Sequence, residues 1–171
     1  MRPVVVEAEV DISRPPEQVF DYCCDPGHEP EWNPMMKSSK KISGGPVGVG
    51  ARYATEFVKG PPMVMECVGY ERPSAWSLVG RSSALTAGGG GRVLPAAGGS
   101  HLIMRMELEP HRLLRLAAPL LRRRMKPMLE RDLANIKSVL EGGSRRGPRA
   151  SSATPSGRPP SPGGSGCGGI R

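Results

Sequence analysis

Aromatic residues are scarce in this chain. Two Trp, three Tyr and two Phe amount to 4% of 171 residues. Ring-on-ring contacts can therefore supply little of a core, while nine Met are available to fill irregular space with a flexible thioether. Cysteine is rare too. Cys23, Cys24, Cys67 and Cys167 show neither a zinc-site spacing nor a disulfide framework. Adjacent residues on a helix point apart, so Cys23 and Cys24 read as small core or boundary residues. No apolar run approaches the roughly 18 residues of a membrane span. Val4-Val5-Val6 is followed at once by Glu7, which is unlike a secretory leader. A cytoplasmic protein is the expectation. Acid is missing from the last thirty residues, where Arg145, Arg146, Arg149, Arg158 and Arg171 supply five of the net +8 and leave a nearly balanced +3 for residues 1–141. The basic character belongs mostly to the tail, so no specific nucleic-acid partner is expected for the rest.

What is present is a run of strand patterns enclosed by helices. Val6, Ala8, Val10 and Ile12 alternate with Glu7, Glu9 and Asp11, which predicts a half-buried strand over residues 4–12. Pro15-Pro16 opens a helix, because proline is tolerated in a first turn whose N–H groups have no partner. That helix runs to about Cys24. A short helical segment follows the Asp25-Pro26-Gly27 turn and ends at Trp32-Asn33-Pro34. Strands are expected over 37–42, 51–58, 63–70 and 75–80, separated by glycine- and proline-rich turns. Tyr53, Thr55 and Phe57 share a face of the second of these, Met63, Met65 and Cys67 of the third, and Trp76 and Leu78 of the fourth. Gly88–Gly91 and Gly98-Gly99 weaken any strand through backbone entropy. The expectation there is a ragged strand near 85–94 and a loop at 95–99. Residues 100–108 alternate again, with Leu102, Met104, Met106 and Leu108 on one face.

From about His111 to Glu141 apolar residues recur at spacings of three and four: Leu114, Ala118, Leu121, Met125, Met128/Leu129, Asp132/Leu133, Ile136 and Leu140. A long helix is predicted, broken near Pro119 and bent near Pro127, with Gly142 as its stop. Beyond it lie Gly, Pro, Ser and Arg, which bury too little apolar surface to offset ordering. The expected organisation is a domain over 1–142 and a disordered tail over 143–171. Hairpin-length turns make the strands antiparallel. The first strand is expected to pair at an edge with the last, and the long helix to cover the apolar face.

The element order and several short motifs resemble the SRPBCC group, the START-related, polyketide-cyclase/dehydrase and lipid-transport superfamily. The motifs are the Val6–Ile12 strand followed by Pro16-x-x-Val19-Phe20, the Pro30-Glu31-Trp32-Asn33-Pro34 segment, and Arg131-Asp132-Leu133-Ala134-Asn135-Ile136-Lys137. The resemblance covers about residues 4–141. It implies an α+β helix-grip fold, a curved antiparallel sheet wrapped around a long C-terminal helix with two short helices after the first strand. It also implies a cavity between sheet and helix for a hydrophobic ligand, whose identity it leaves open. The glycine-rich stretch 87–99 departs from the pattern.

Candidate ligand-binding residues follow from strand parity and helix spacing: Tyr53, Phe57, Met65, Trp76, Met104 and Met106 from the sheet, and Leu121, Met125, Met128 and Leu129 from the helix. Trp32 joins them from the short helix, either as wall or as a plug holding that helix down. For acid–base work the candidates are His28, near the expected mouth but read as a surface residue, His101 and His111, neither of which has a sequence partner, and Tyr53 with Arg81 if both face inward. No nucleophile motif, phosphate loop or metal cluster is visible, so no cofactor and no metal are expected. Arg122-Arg123-Arg124-x-Lys126 reads as a solvated face or as a contact for anionic lipid or nucleic acid. Three function classes remain: a binder of a small hydrophobic molecule, a polyketide cyclase or aromatase, and a surface-binding protein acting through its basic tail. The absence of an evident acid–base pair favours the first. Oligomeric state is not legible.

Overall fold

The structure, a computed structural model, describes residues 3–82, 85–110 and 118–142. β1 (Val4–Ile12) leads into α1 (Pro16–Cys23), a 3-10 turn (Pro26–His28) and α2 (Glu29–Trp32). Six strands follow: β2 (Met36–Lys41), β3 (Arg52–Phe57), β4 (Met63–Glu71), β5 (Ala75–Arg81), β6 (Leu85–Ala96) and β7 (Gly99–Pro110). The chain then reaches α3 (Ala118–Gly142). The strands form a single antiparallel sheet in the order β1-β7-β6-β5-β4-β3-β2. It curls as a half-barrel around α3, which is the helix-grip arrangement. The expected edge pairing is present: β1 runs antiparallel to β7, with Val6 opposite Met106 and Ala8 opposite Met104.

Register shifts between Met36 and Ser38, and between Cys67 and Gly69, add the local twist that lets a sheet curl. The glycine stretch is more regular than expected. β6 is continuous from Leu85 to Ala96 and pairs on both sides, with β5 and with β7. The loop expected at 95–99 shrinks to Ala97-Gly98, and Gly98 has φ +82°. Two-residue hairpins need a positive φ that glycine adopts without strain. Two flanking ladders supply the hydrogen bonds that offset the entropy of four successive glycines.

Pro119 lies at the N-terminal end of α3 as described, and the helix runs on from there to Gly142. The helix continues through Pro127, which is exposed. The expected segment 111–117 and the tail 143–171 lie outside the described residues. The buried face of α3 carries Met125, Leu129, Asp132, Leu133, Ile136 and Leu140, the stripe its spacing predicts. Arg122, Arg123 and Arg124 are all exposed. The helix is tied back by Asn135 Nδ2, which donates to Trp32 O at 2.8 Å, and by Lys137 Nζ, which donates to Asp11 O at 2.7 Å. Ser13 N donates to Glu141 Oε1 at 2.8 Å. On the other side Phe20 of α1 meets Tyr70 and Trp76 edge to face, with centroids 5.2 and 5.7 Å apart, a favoured aromatic geometry.

Candidate functional site

Directly paired residues in an antiparallel sheet point to the same side, so the ladders order the inner face into rows. One row runs Tyr53, Met65, Gly80, Ala87, Leu108, Val4. The next runs Cys67, Leu78, Gly89, Met106, Val6, and a third joins Trp76, Gly91, Met104 and Ala8. Large and absent side chains alternate along these rows. The Trp76 ring lies where a Cβ on Gly91 would sit, and the Met63 and Met65 sulfurs occupy the space above Gly80. Nothing lies within 4 Å of the place a Cβ on Gly89 would take.

That gap belongs to a cavity of about 400 Å³ between sheet, α2 and α3. Of the residues expected on its wall, nine are there: Trp32, Phe57, Met65, Trp76, Met104, Met106, Leu121, Met128 and Leu129. Tyr53 and Met125, each 1% exposed, are packed in the core instead. Strand parity places Tyr53, and helix spacing Met125, on the inner side, but a side chain can face inward and still be covered by its neighbours. The wall also includes residues the periodicities did not single out, among them Cys23, Glu29, Asn33, Met35, Met36 and the backbone of Gly88–Gly90. Glycines give no alternation to read. Glu29 opens and Asn33 follows a four-residue helix, too short to show a period.

Glu29 stands out on this apolar wall. Asn33 Nδ2 donates to its Oε1 at 2.9 Å, and Asn33 N donates to its main-chain oxygen at 2.8 Å. Asn33 is itself oriented by accepting from Met35 N at 3.0 Å. Removal from water pushes the Glu29 carboxyl up to about 7, against the hydrogen bond from Asn33, and the negative charge of Asp132 on α3 adds to the rise. Asp132 is 1% exposed, and burial raises its carboxyl despite bonds from Arg131 Nη2 and Nε at 3.0 and 3.3 Å to Oδ1. Its Oδ2 has no partner, and neither has the buried indole Nε1 of Trp32. Burial lifts the Cys23 thiol to about 12, so this wall cysteine is not a nucleophile at neutral pH.

The other titratable candidates are elsewhere. His28 bonds Glu31 at 3.1 Å and stacks on Tyr22, while His101 bonds Asp11 at 2.7 Å on the outer face. His111 is outside the described residues. Arg81 is exposed and pairs across from Val64, so it does not join Tyr53. Among the described residues there is no group of three metal-ligating side chains, and no helix is long and apolar enough to cross a membrane.

Residues 3–141 match the protein family described as polyketide cyclase / dehydrase and lipid transport. Among solved structures the chain is similar to a START superfamily protein from Mycobacterium smegmatis, at 13% identity and a TM-score of 0.67, covering 81% of this chain and 97% of that one. It is similar to a protein from Thermus thermophilus at 18% identity and a TM-score of 0.68, covering 82% and 99%. It also resembles the di-domain aromatase/cyclase StfQ of the steffimycin biosynthetic pathway, at 14% identity and a TM-score of 0.67, covering 84% of this chain and 52% of that one. No curated protein matches the chain.

Proposed function

Since the chain belongs to the polyketide cyclase / dehydrase and lipid transport family, we propose that it binds a small hydrophobic molecule, lipid- or polyketide-like, in the cavity between the sheet and α3. The observation that carries this reading is the open space over Gly89. A filled core would place a side chain between Leu78 and Met106, the residues paired with Gly89 on either side; here that space is empty. A volume of about 400 Å³ is within the roughly 300–1,000 Å³ of small-molecule sites, which are apolar with a few placed polar groups. The proposed contacts are Trp32, Phe57, Met65, Trp76, Met104, Met106, Leu121, Met128 and Leu129.

Gly89→Leu tests this. The new side chain projects into free space, so stability holds or rises by up to about 1 kcal/mol as the unfolded chain loses freedom. Nile red, an uncharged apolar dye, is expected to bind the wild-type full chain and to bind the variant at least about tenfold more weakly, roughly 1.4 kcal/mol. Equal dye binding by both proteins would count against the cavity as the site.

One observation favours a second reading, a cyclase or aromatase working in the same cavity: a carboxyl that titrates near neutral pH stands on the wall. A pocket that holds a reactant in a near-attack shape, with one acid–base group, is sufficient for some cyclisations. Cyclisation of a linear poly-β-ketone thioester above its uncatalysed rate, lost in Glu29→Ala, is the result that separates an enzyme from a binder.

A further inference from the structure

We propose that Glu29 and the Trp32 indole form a polar anchor at the α2 end of the cavity, built for a neutral ligand that carries an oxygen acceptor and unfavourable to carboxylates and phosphates. The inference rests on the cavity being a ligand site and adds what chemistry that ligand has.

The two residues are three apart on α2, hence on one face of it, and both are on the cavity wall. Trp32 is 6% exposed, and its Nε1–H has no hydrogen-bond partner. A buried donor without a partner is rare in folded proteins and calls for an acceptor from outside the chain. The other buried polar atoms left alone among the described residues, on Ser39, Tyr53 and Asp132, belong to side chains away from the wall. Glu29 is held in place by Asn33, whose Nδ2 bonds Oε1. Because Oε1 already accepts a hydrogen bond, a proton on this carboxyl resides on Oε2, and no described protein group bonds Oε2. The α2 wall thus carries two donors three residues apart, the covered indole N–H and the carboxyl O–H, beside a mostly apolar space that Asn33, Lys59, Ser82 and Arg105 also border. A carbonyl, ether or hydroxyl oxygen satisfies them. An anion gives up its hydration to enter this mostly apolar space and meets the negative charge of buried Asp132 on α3, joined above about pH 7 by that of Glu29.

The charged groups on elements packed against α2 leave this balance intact. On α3, Asp132 is paired with Arg131. In the 3-10 turn His28 is bonded to Glu31. On β2, Lys37 pairs with Glu56, and Lys41 bonds Gly45 O; Lys40 is exposed. The cations among the described wall residues are Lys59, exposed in the β3–β4 connection, and Arg105, exposed and paired with Glu7 and Glu107. The proton on Glu29 is retained up to about pH 7, so the second donor is lost above that.

Three naphthalenes of near-equal shape test the anchor by displacing Nile red from the full chain at pH 6 and pH 8.5: 2-acetylnaphthalene, 2-ethylnaphthalene and 2-naphthoate. At pH 6 the ketone is expected to bind about tenfold more tightly than the hydrocarbon, as one or two modest hydrogen bonds allow, and the carboxylate least tightly. At pH 8.5 the ketone's advantage shrinks. Glu29→Gln keeps a neutral donor in place and is expected to hold that advantage at both pH values. Trp32→Phe keeps the ring, loses the N–H, and is expected to weaken the ketone at both pH values while leaving the hydrocarbon unchanged. Equal affinity for ketone and hydrocarbon, tighter binding of the carboxylate, or a pH dependence that persists in Glu29→Gln overturns the anchor and leaves the apolar site standing. Failure of Nile red itself to bind overturns the site and the anchor together.

Discussion

The Glu29 carboxyl links this domain's stability to pH. Glu29 is raised from an ordinary value of 4.5 to about 7 by removal from water. The folded state then binds a proton that the unfolded state has released, so stability contributed by the neutral form is fully present below about pH 4.5 and is lost as pH rises to about 7. A shift of that size corresponds to about 2–3 kcal/mol once partial solvent access is allowed for. Glu29→Gln cannot make this exchange. Urea unfolding of wild type and variant at pH 5 and pH 8 is expected to show the wild type losing stability relative to the variant at the higher pH, and equal losses in both would show that Glu29 is solvated. The exposed ion pair between Arg72 and Asp21 runs the other way. The guanidinium, bonded at 2.7 and 2.8 Å, lowers the Asp21 carboxyl against the opposing effect of burial. Its stabilisation is present above the unfolded value of Asp21 and is lost as pH falls through the lowered one. Because both side chains are about half exposed, Arg72→Ala is expected to cost no more than about 1 kcal/mol.

At the scale of elements, β6 is where side chains matter by being missing. Gly89 and Gly91 are both on its inner face, yet they should respond oppositely to the same change. A methyl at Gly91 would overlap the Trp76 ring, which is only 5% exposed and itself braced by Phe20. Gly91→Ala is therefore expected to cost about 1–3 kcal/mol, whereas Gly89→Ala, with open space around it, should be neutral or slightly stabilising. Thermal unfolding of the two variants side by side checks the contrast. The same strand shows where reading the sequence stops. Val6, Ala8 and Ile12, or Tyr53 and Thr55, declare their face by alternating with charged neighbours, and the structure buries that face. Gly88–Gly91 has no side chains to alternate, so its register comes only from the partner strands. Strand parity and helix spacing also give a face and not a depth, which is why they group Tyr53 and Met125 with the wall residues although both sit in closed packing. Glu29 has no pattern to belong to: α2 is one turn long, and its geometry depends on Asn33 and on α3 a hundred residues away. The α3 stripe is legible throughout, even at Asp132, because a 25-residue helix repeats its period often enough to outweigh one discordant side chain.

For the molecule as a whole, we propose that residues 1–142 form the functional unit and that 143–171 are a separate tail, on the strength of the compositional break at Gly142. Truncation after Gly142 is expected to leave the melting temperature and Nile red affinity unchanged, and to lower retention on heparin because five arginines are removed. A fall in melting temperature would place part of the tail in the domain. The pairing of β1 with β7 has a further consequence, one of time. β1 precedes the other strands of this sheet in the chain, and its strand partner among the described residues comes about ninety residues later, so its row of Val4, Val6 and Ala8 waits while β2 to β6 join their neighbours in sequence. Closing so long a loop is entropically slow, and chains dominated by such pairings fold more slowly than those built from local contacts. β1 is thus expected to dock after the transition state has formed. Val6→Ala should then speed unfolding in stopped-flow measurements while hardly changing the refolding rate. A refolding rate that falls in step with stability would mean that β1 and β7 meet early.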